Sequence, residues 1–189
     1  MKRIAIFCGS KNGASEVYVN GAIALGKELA NRNITLVYGG AKVGLMGAIA
    51  DSVIQAGGNV IGVMPTFLVE KEIAHPHLSE LIIVETMHER KAKMAELADG
   101  FIALPGGPGT LEEFFEIFTL AQLGKHHKPC GLFNMNHYYD PLIHFFSHME
   151  KEQFLHEQYR GLAIIEEDPS KLLNRFEQYE SHLLSKQTN

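Results

Sequence analysis

The clearest local signal in the chain is the stretch "ADGFIALPGGPGTLEEFFEIF", residues 98 to 118. Its apolar residues Phe101–Leu104 have the length of a strand, and the residues from Leu111 onward have the mixed pattern of a helix. Between them lies Pro-Gly-Gly-Pro-Gly-Thr, which holds more glycine than a tight turn needs. The stretch therefore predicts a strand, a loop whose backbone passes close to something, and a helix.

The same order of strand, glycine-bearing link and helix recurs along the chain. Short, continuous apolar strands are typical of a parallel sheet that is covered on both faces. The pattern predicts an α/β fold, a doubly wound (Rossmann-like) parallel sheet with helices on both faces. Predicted strands are Ile4–Cys8, Thr35–Tyr38, Val60–Val63, Leu81–Val84, Phe101–Leu104, Cys130–Phe133 and Ala163–Ile165, and predicted helices are Ser15–Asn31, Leu45–Ala56, Met87–Ala98, Leu111–Leu123, Tyr139–Lys151 and Pro169–Leu184.

Composition narrows the class of protein. A chain of 189 residues, with 46% hydrophobic and 21% charged residues, predicts one globular domain over residues 1–189. Its net charge of −5 argues against a nucleic-acid partner, and no apolar run has the length of a signal peptide or a membrane span. Cys8 and Cys130 lie in apolar contexts, so we expect two buried thiols in a cytoplasmic protein.

Three predicted strands end in glycine-bearing turns, at residues 7–13, 38–47 and 104–110. One such turn alone is weak evidence of a site, because glycine is the default residue of a tight strand–helix turn. Three turns at equivalent places predict a shared cleft beyond the carboxyl ends of the strands. The candidate substrate contacts in these turns are Gly9, Ser10, Gly39, Gly40, Gly106, Gly107, Gly109 and Thr110.

The third turn favours a phosphate ligand. The chain has neither G-x-G-x-x-G with an acidic ribose ligand nor the Walker pattern, which disfavours a dinucleotide dehydrogenase and a P-loop nucleotidase. An anion site remains, at a helix starting near Thr110, where backbone amides after Gly106 and Gly107 and the Thr110 hydroxyl surround a phosphate. Pro108 has no N–H to contribute.

Charged residues on two predicted helices face the same cleft. The helix after the loop is apolar nearly all round, so we expect it to be buried on most sides. This helix carries three acids, Glu112, Glu113 and Glu116. Either at least one of them faces the cleft, or all three only stabilise the start of the helix. Arg90 interrupts an apolar stripe and either extends to solvent or meets an anion, and Lys91 beside it is the only lysine predicted in the cleft.

Two further features carry less. The ten histidines show no H-E-x-x-H and no Cys/His ligand spacing, so we expect no metal site. The irregular segment Met64 to Glu80 is either a lid or a structural connector.

The motifs together resemble those of the LONELY GUY (LOG) family over nearly the whole chain to about Asn136, and more weakly beyond it. The shared segments, in the same order and spacing, are "YGGAKVGLMGAIAD", "GVMP", "MHERKAKM", "LPGGPGTLEE" and "AQLGKHHKPCGLFN". Pro108 stands where plant members often have an aromatic residue, and Leu120 stands where they often have tryptophan. The ligand pocket near these two positions is therefore expected to differ from that of the plant members.

The resemblance implies a hydrolase that cleaves the N-glycosidic bond of N6-substituted adenosine 5′-monophosphates, or of AMP, to free base and ribose 5-phosphate. It implies a homodimer and no cofactor. The residues it implies as catalytic are Arg90 and Glu113, and those it implies as substrate contacts are Glu72, Met87, Lys91, the segment Gly106–Glu112 and Thr119.

Two other functions stay open at this point. Family members were long labelled lysine decarboxylases, whose pyridoxal phosphate needs a lysine that forms a Schiff base. A non-enzymatic nucleotide-binding or cofactor-carrier protein would keep the glycine loops but would not need Arg90 together with Glu113.

Overall fold

The computed structural model describes residues 1–69 and 73–179. Within them, seven strands form one sheet in the order β4-β3-β2-β1-β5-β6-β7, and every neighbouring pair is parallel. The prediction of a doubly wound α/β sheet is confirmed. The strands are β1 (Arg3–Phe7), β2 (Thr35–Tyr38), β3 (Val60–Pro65), β4 (Glu80–Val84), β5 (Gly100–Ala103), β6 (Cys130–Phe133) and β7 (Ala163–Glu166).

Helices cover both faces of the sheet. On one face α1, α2 and α8 bury residues such as Leu25 and Leu172. On the other face α4, α5 and α6 bury residues such as Met94 and Phe114. The helices of the described residues are α1 (Glu16–Asn31), α2 (Gly44–Gln55), α3 (Thr66–Val69), α4 (Met87–Leu97), α5 (Pro108–Gln122), α6 (Asp140–Lys151), α7 (Glu157–Arg160) and α8 (Pro169–Glu177).

Among the helix starts, the one that differs most from its prediction is that of α5. It begins at Pro108 and not near Thr110 or Leu111, with Gly107 as its extended N-cap (φ −89°, ψ −162°). Proline is favoured at the first helical position because its ring fixes a helical φ and its missing N–H would be unsatisfied there. The second half of Pro-Gly-Gly-Pro-Gly-Thr, residues 108–110, therefore belongs to the helix itself.

Other differences are small. The one-turn helices α3 and α7 were not predicted, because four residues are too few to show a helical period. The last helix ends at Glu177 with Gln178 as its C-cap, so the prediction that it continues is wrong for residues 178 and 179. Residues 180–184 of the predicted helix lie outside the described residues.

Part of the segment Met64 to Glu80 is bound to the body of the protein. The N–H of His75 donates to the carbonyl of Gly40 at 2.8 Å, and the His75 ring contacts the Asp51 carboxylate at 3.1 Å. His75 is buried, although Asp51 is exposed on α2. Residues 73–77 therefore act as a structural connector along the loop after β2.

Candidate active site

The loops after β1, β2 and β5 meet at the carboxyl edge of the sheet. The strand order changes direction between β1 and β5, and this is where ligands bind in open parallel sheets. The N–H of Gly9, after β1, donates to the carbonyl of Pro105, after β5, at 3.1 Å. The N–H of Leu45 on α2 donates to the carbonyl of Gly9 at 3.2 Å. The predicted grouping of three glycine loops is therefore present.

Some glycines of these loops are required by packing within the protein. A Cβ on Gly106 would collide with the Thr110 side chain and would lie 2.9 Å from the Gly9 nitrogen. A Cβ on Gly9 would lie 3.3 Å from the Gly106 Cα, which is tighter than ordinary contacts. Gly40 has a φ of +80°, a conformation that favours glycine. These positions would need glycine with or without a ligand.

Gly107 and Gly109 differ from them. A Cβ at either position would meet nothing within 4 Å. Neither has a positive φ, so the backbone conformation does not require glycine either. Both are exposed at the start of α5, where the first N–H groups of a helix lack intrahelical acceptors and the helix dipole favours an anion. Nothing in the described structure requires glycine at 107 or 109.

Beside these loops lies a cavity of about 400 Å³. Lys11 lines it, which corrects the prediction that Lys91 is the only lysine at this edge. The sequence analysis missed Lys11, Tyr18 and Tyr138 in this lining. They could have been found from the order of the elements, because Lys11 and Tyr138 follow β1 and β6, the two strands beside β5, and Tyr18 lies on α1. The cavity is lined by Gly9, Ser10, Lys11, Asn12, Gly13, Tyr18, Leu45, Pro105, Gly106, Gly107, Pro108 and Tyr138.

Arg90 reaches the sheet edge from the first turn of α4. A Cβ on Gly39 would collide with its guanidinium, so glycine at that position makes room for the arginine. Arg90 Nη1 lies 3.7 Å from the sulfur of Met87, which is a weak contact. Arg90 Nε is buried and has no hydrogen-bond partner, the only such side-chain nitrogen or oxygen in the described residues. A buried, unpaired cationic donor is costly unless something else binds it.

Glu113 lies in the second turn of α5 and is mostly buried. Among the described residues it forms no hydrogen bond and no ion pair. Burial raises the pKa of its carboxyl above the ordinary value, and the positive charge of Arg90 opposes that rise. Glu113 is thus a carboxyl group that can exchange a proton and that lies within the field of an unpaired arginine.

Cys8 shows where this pair lies relative to the sheet. The residue follows β1 and is buried, and burial raises the pKa of its thiol well above the usual range. The charges of Glu113 and Arg90 also act on that thiol, in opposite directions. Both side chains therefore lie near the carboxyl end of the central strand β1. Neither of them lines the 400 Å³ cavity, so the pair and the cavity are separate parts of one edge.

Lys91 and its neighbours pair with one another. The Lys91 ammonium lies 2.5 Å from Glu112 Oε1 and 2.6 Å from Glu116 Oε2. The hydrogen bond to Glu112, and then that to Glu116, raises the pKa of the Lys91 ammonium. Thr119 is exposed on the same side of α5, about 14 Å along the helix from Thr110. Substrate contacts from Lys91, Glu112 and Thr119 therefore stay predictions, and Glu72 lies outside the described residues.

Three general findings complete the description. In residues 1–69 and 73–179, no three His, Cys, Asp or Glu side chains are grouped so that they could hold a metal ion. Over the same ranges, no helix combines the length and apolarity needed to cross a bilayer. Cys8 and Cys130 are free and buried, as their apolar contexts predict.

Solved structures with this fold include proteins that carry a cofactor. The molybdenum cofactor carrier protein from Chlamydomonas reinhardtii is 23% identical, with a TM-score of 0.70 over 98% of this chain and 99% of that one. The molybdenum cofactor binding protein from Rippkaea orientalis is 21% identical, with a TM-score of 0.70 over 94% and 97% of the two chains. At these identities the likeness concerns the fold.

Sequence relatives lie much nearer. A cytokinin riboside 5′-monophosphate phosphoribohydrolase of Oryza sativa subsp. japonica is 46% identical over 178 residues, 94% of this chain and 74% of that protein. The corresponding protein of Rhodococcoides fascians is 47% identical over 168 residues, 88% and 85% of the two chains. A family model described as "Possible lysine decarboxylase" matches residues 46–176. The chain therefore belongs to the LONELY GUY (LOG) family, as its motifs predict.

Proposed function

We propose that this protein hydrolyses the N-glycosidic bond of adenosine 5′-monophosphates, either N6-substituted or AMP itself, to the free base and ribose 5-phosphate. The observation that carries the proposal is the pair Arg90 and Glu113, two groups of opposite charge near the end of β1 that form no ion pair among the described residues, with Arg90 Nε buried and unbonded. Relatives at 46–47% identity named as cytokinin riboside 5′-monophosphate phosphoribohydrolases support the substrate class. A catalytic role for the pair is our proposal.

The chemistry needs a carboxylate near the sugar. Cleavage of a ribosyl–adenine bond passes through an oxocarbenium-like sugar, as in glycoside hydrolysis. Glu113, when ionised, stabilises that charge and takes a proton from the water that attacks C1′. Arg90 neutralises anionic groups of the substrate and fixes the geometry of Glu113. No metal or organic cofactor takes part.

The 5′-phosphate is assigned to the start of α5. The unpaired amides of Gly107, Gly109 and Thr110 and the Thr110 hydroxyl provide donors at the positive end of the helix dipole. The absence of side chains at 107 and 109 leaves the approach to those amides open. The remaining proposed substrate contacts are Gly9, Ser10, Gly39, Gly40, Glu72, Met87, Lys91, Gly106, Glu112 and Thr119.

Comparing AMP with adenosine tests the phosphate site. Charge-assisted hydrogen bonds contribute about 1.5–3 kcal/mol each, so losing two or three of them lowers kcat/KM by about three orders of magnitude. We expect wild type to cleave AMP about a thousandfold faster than adenosine, measured by chromatography of the released base. Gly107→Val should fold, because its side chain enters open space, and should lose most of that preference.

The control is Gly161→Val, since Gly161 also has nothing within 4 Å of a Cβ and lies at the end of α7. Equal rates on adenosine and AMP, or an unchanged preference in Gly107→Val, would show that the glycines form only a turn.

A cofactor carrier is the second candidate, favoured by the cavity and by the fold shared with molybdenum cofactor carriers. Such a protein would bind a nucleotide or cofactor without turnover. Incubation with AMP and with isopentenyl-AMP separates the candidates, because only a hydrolase releases free base.

A pyridoxal-phosphate decarboxylase fits poorly. Schiff-base formation needs a neutral amine, but Lys91 lies between two carboxylates that raise its pKa. Visible absorption of the protein after incubation with pyridoxal phosphate would revive this candidate.

The homodimer and the cytoplasmic location also belong to the proposal. On α5, Phe114, Ile117 and Phe118 are used in the protomer's own core, so less of the helix is free for a partner than the sequence suggests. Leu111 and Phe115 are partly buried and Leu123 is exposed, which leaves an apolar strip for a second copy. Light scattering should give about twice the 21.0 kDa of one chain. The two free thiols support a reducing compartment.

A further inference from the structure

The carbonyls of the loop after β5 are held by donors from neighbouring segments. Three consecutive carbonyls, those of residues 104 to 106, each accept one hydrogen bond from outside the loop. The bonds run from the Tyr139 hydroxyl to Leu104 at 2.6 Å, from the Gly9 N–H to Pro105 at 3.1 Å, and from the Tyr138 hydroxyl to Gly106 at 2.6 Å. These bonds hold the loop in place through its carbonyl groups. The Leu104 N–H donates to the carbonyl of Phe7 at 2.9 Å, and Pro105 has no N–H, so the N–H groups that remain available are those of Gly106 and Gly107.

Because a peptide group is planar, a hydrogen bond that fixes its carbonyl also fixes the direction of its N–H. The described residues contain no cis peptide bond. In a trans peptide the C=O of one residue and the N–H of the next point in opposite directions. Because the Gly106 carbonyl points at the Tyr138 hydroxyl, the N–H of Gly107 points away from it. Rotating this peptide would cost the bond to Tyr138.

We infer that Tyr138 is a positioning residue for the phosphate site: its hydroxyl holds the Gly106–Gly107 peptide so that the Gly107 N–H faces the bound phosphate. The inference rests on the proposed function, because it takes that phosphate as the ligand. Tyr138 itself need not touch the substrate. The bond to Tyr138 matters here because residue 107 has no side chain that could pack and so help to fix the peptide.

Tyr138 is held in place before any ligand arrives. The buried side chain of Asn134 accepts the Tyr139 N–H at 2.7 Å and donates to the Asp140 carboxylate at 2.8 Å. This closes the turn between β6 and α6 that carries both tyrosines. The Tyr138 ring also meets the edge of Tyr18, with ring centres 5.8 Å apart. A fixed donor costs little entropy when the phosphate binds.

Tyr139 provides a matched comparison in the same loop. Its hydroxyl makes a bond of the same length, 2.6 Å, but to the carbonyl of Leu104. The next residue is Pro105, which has no N–H, so this peptide has no donor to aim at an anion. Removal of the Tyr139 hydroxyl should therefore affect stability, whereas removal of the Tyr138 hydroxyl should affect phosphate affinity.

The experiment measures binding of ribose 5-phosphate, with ribose as the uncharged probe, by titration calorimetry. Tyr138→Phe should raise the Kd for ribose 5-phosphate about three- to tenfold and should raise the KM for AMP by the same factor, with a smaller change in kcat. Tyr139→Phe should leave that Kd within about twofold and lower Tm instead. Tyr159→Phe, on α7, replaces it as the control if Tyr139→Phe does not fold.

An unchanged Kd in Tyr138→Phe, or an equal loss in Tyr138→Phe and Tyr139→Phe, would overturn the inference. The same measurements distinguish a failure of the Tyr138 inference from a failure of the proposed function. If Tyr138→Phe weakens the binding of ribose 5-phosphate but wild type cleaves no nucleotide, the inference stands and the hydrolase proposal fails. If wild type cleaves AMP and Tyr138→Phe is unchanged in Kd and KM, the reverse holds.

Discussion

Two sets of charged groups lie on α4 and α5, a cluster of three around Lys91 and the pair Arg90 and Glu113, and their charges are balanced in opposite ways. Lys91 is bound between Glu112 and Glu116 at 2.5 and 2.6 Å. Arg90 and Glu113, each next to a member of that cluster in sequence, form no ion pair with each other or with any described residue. The Lys91 cluster satisfies its charges within the protein. The Arg90–Glu113 pair leaves them unsatisfied, as a site for an ionic substrate would.

The largest expected difference between the two sets is in turnover. Glu113→Gln should lower kcat for AMP by about two orders of magnitude or more, because it removes the proposed general base. Glu116→Gln, on the same helix, should change kcat by less than about threefold, because exposed ion pairs contribute little. Both variants are assayed by release of free base at saturating AMP. A near wild-type rate in Glu113→Gln would make Glu113 a structural residue and end the proposed mechanism.

The pH dependence should show an intermediate effect. Burial raises the pKa of Glu113, and Arg90 counteracts this more strongly than Lys91 does. Removing the positive charge with Arg90→Gln should therefore raise the pKa of Glu113 further, and Lys91→Gln should raise it less. Nuclear magnetic resonance titration of the labelled Glu113 carboxyl measures this without relying on activity. A larger shift in Lys91→Gln than in Arg90→Gln would reverse the assignment of the two sets.

In wild type the ionised form of Glu113 is the active one, so the rate of AMP cleavage should fall as pH drops through its raised pKa. The acidic limb of the rate profile should move to higher pH in Lys91→Gln, in step with the titration. A limb that stays in place while the carboxyl pKa moves would separate Glu113 from the rate.

The smallest expected effect is on stability. Glu113→Gln should lower turnover but should raise thermal stability. A carboxyl whose pKa is raised on folding binds more protons in the folded state, so the free energy of unfolding falls as pH rises from its ordinary 4.5 through the raised value. Above the raised pKa the penalty for ionising the buried carboxyl is fully present, and Glu113→Gln removes it. We expect Tm to rise at pH 7 and the gain to vanish below pH 4.5. Scanning calorimetry at both pH values measures it, and Glu116→Gln should not gain.

The fold could be predicted because its signals are local. Apolar strands and glycine links placed β2 and β6 at their observed bounds, and alternation with helices is enough to indicate a parallel sheet. The start of α5 was missed because Pro108 reads as a turn residue until its place at the first helical position is known.

The division of the charges could not be predicted. Residues adjacent on a helix point about 100° apart, so sequence places Arg90 and Lys91 on different sides of α4 but does not say which side meets α5. Lys91 and Glu112 remain predicted substrate contacts, but the sequence did not indicate that they also pair with each other. Tyr138 was missed because no local pattern shows that the turn after β6 reaches the loop after β5. That contact depends on strand order.

The buried thiol of Cys8 can be used to measure local unfolding at the sheet edge. The only two thiols, Cys8 and Cys130, are both buried, and burial raises the pKa of each, so a thiol reagent meets almost no thiolate in the closed protein. Cys8 lies at the end of β1 near Arg90 and Glu113, so its alkylation requires local unfolding of the sheet edge. The alkylation rate of Cys8, followed by mass spectrometry, therefore measures how often the region of the proposed catalytic residues opens, and the chain needs no attached label.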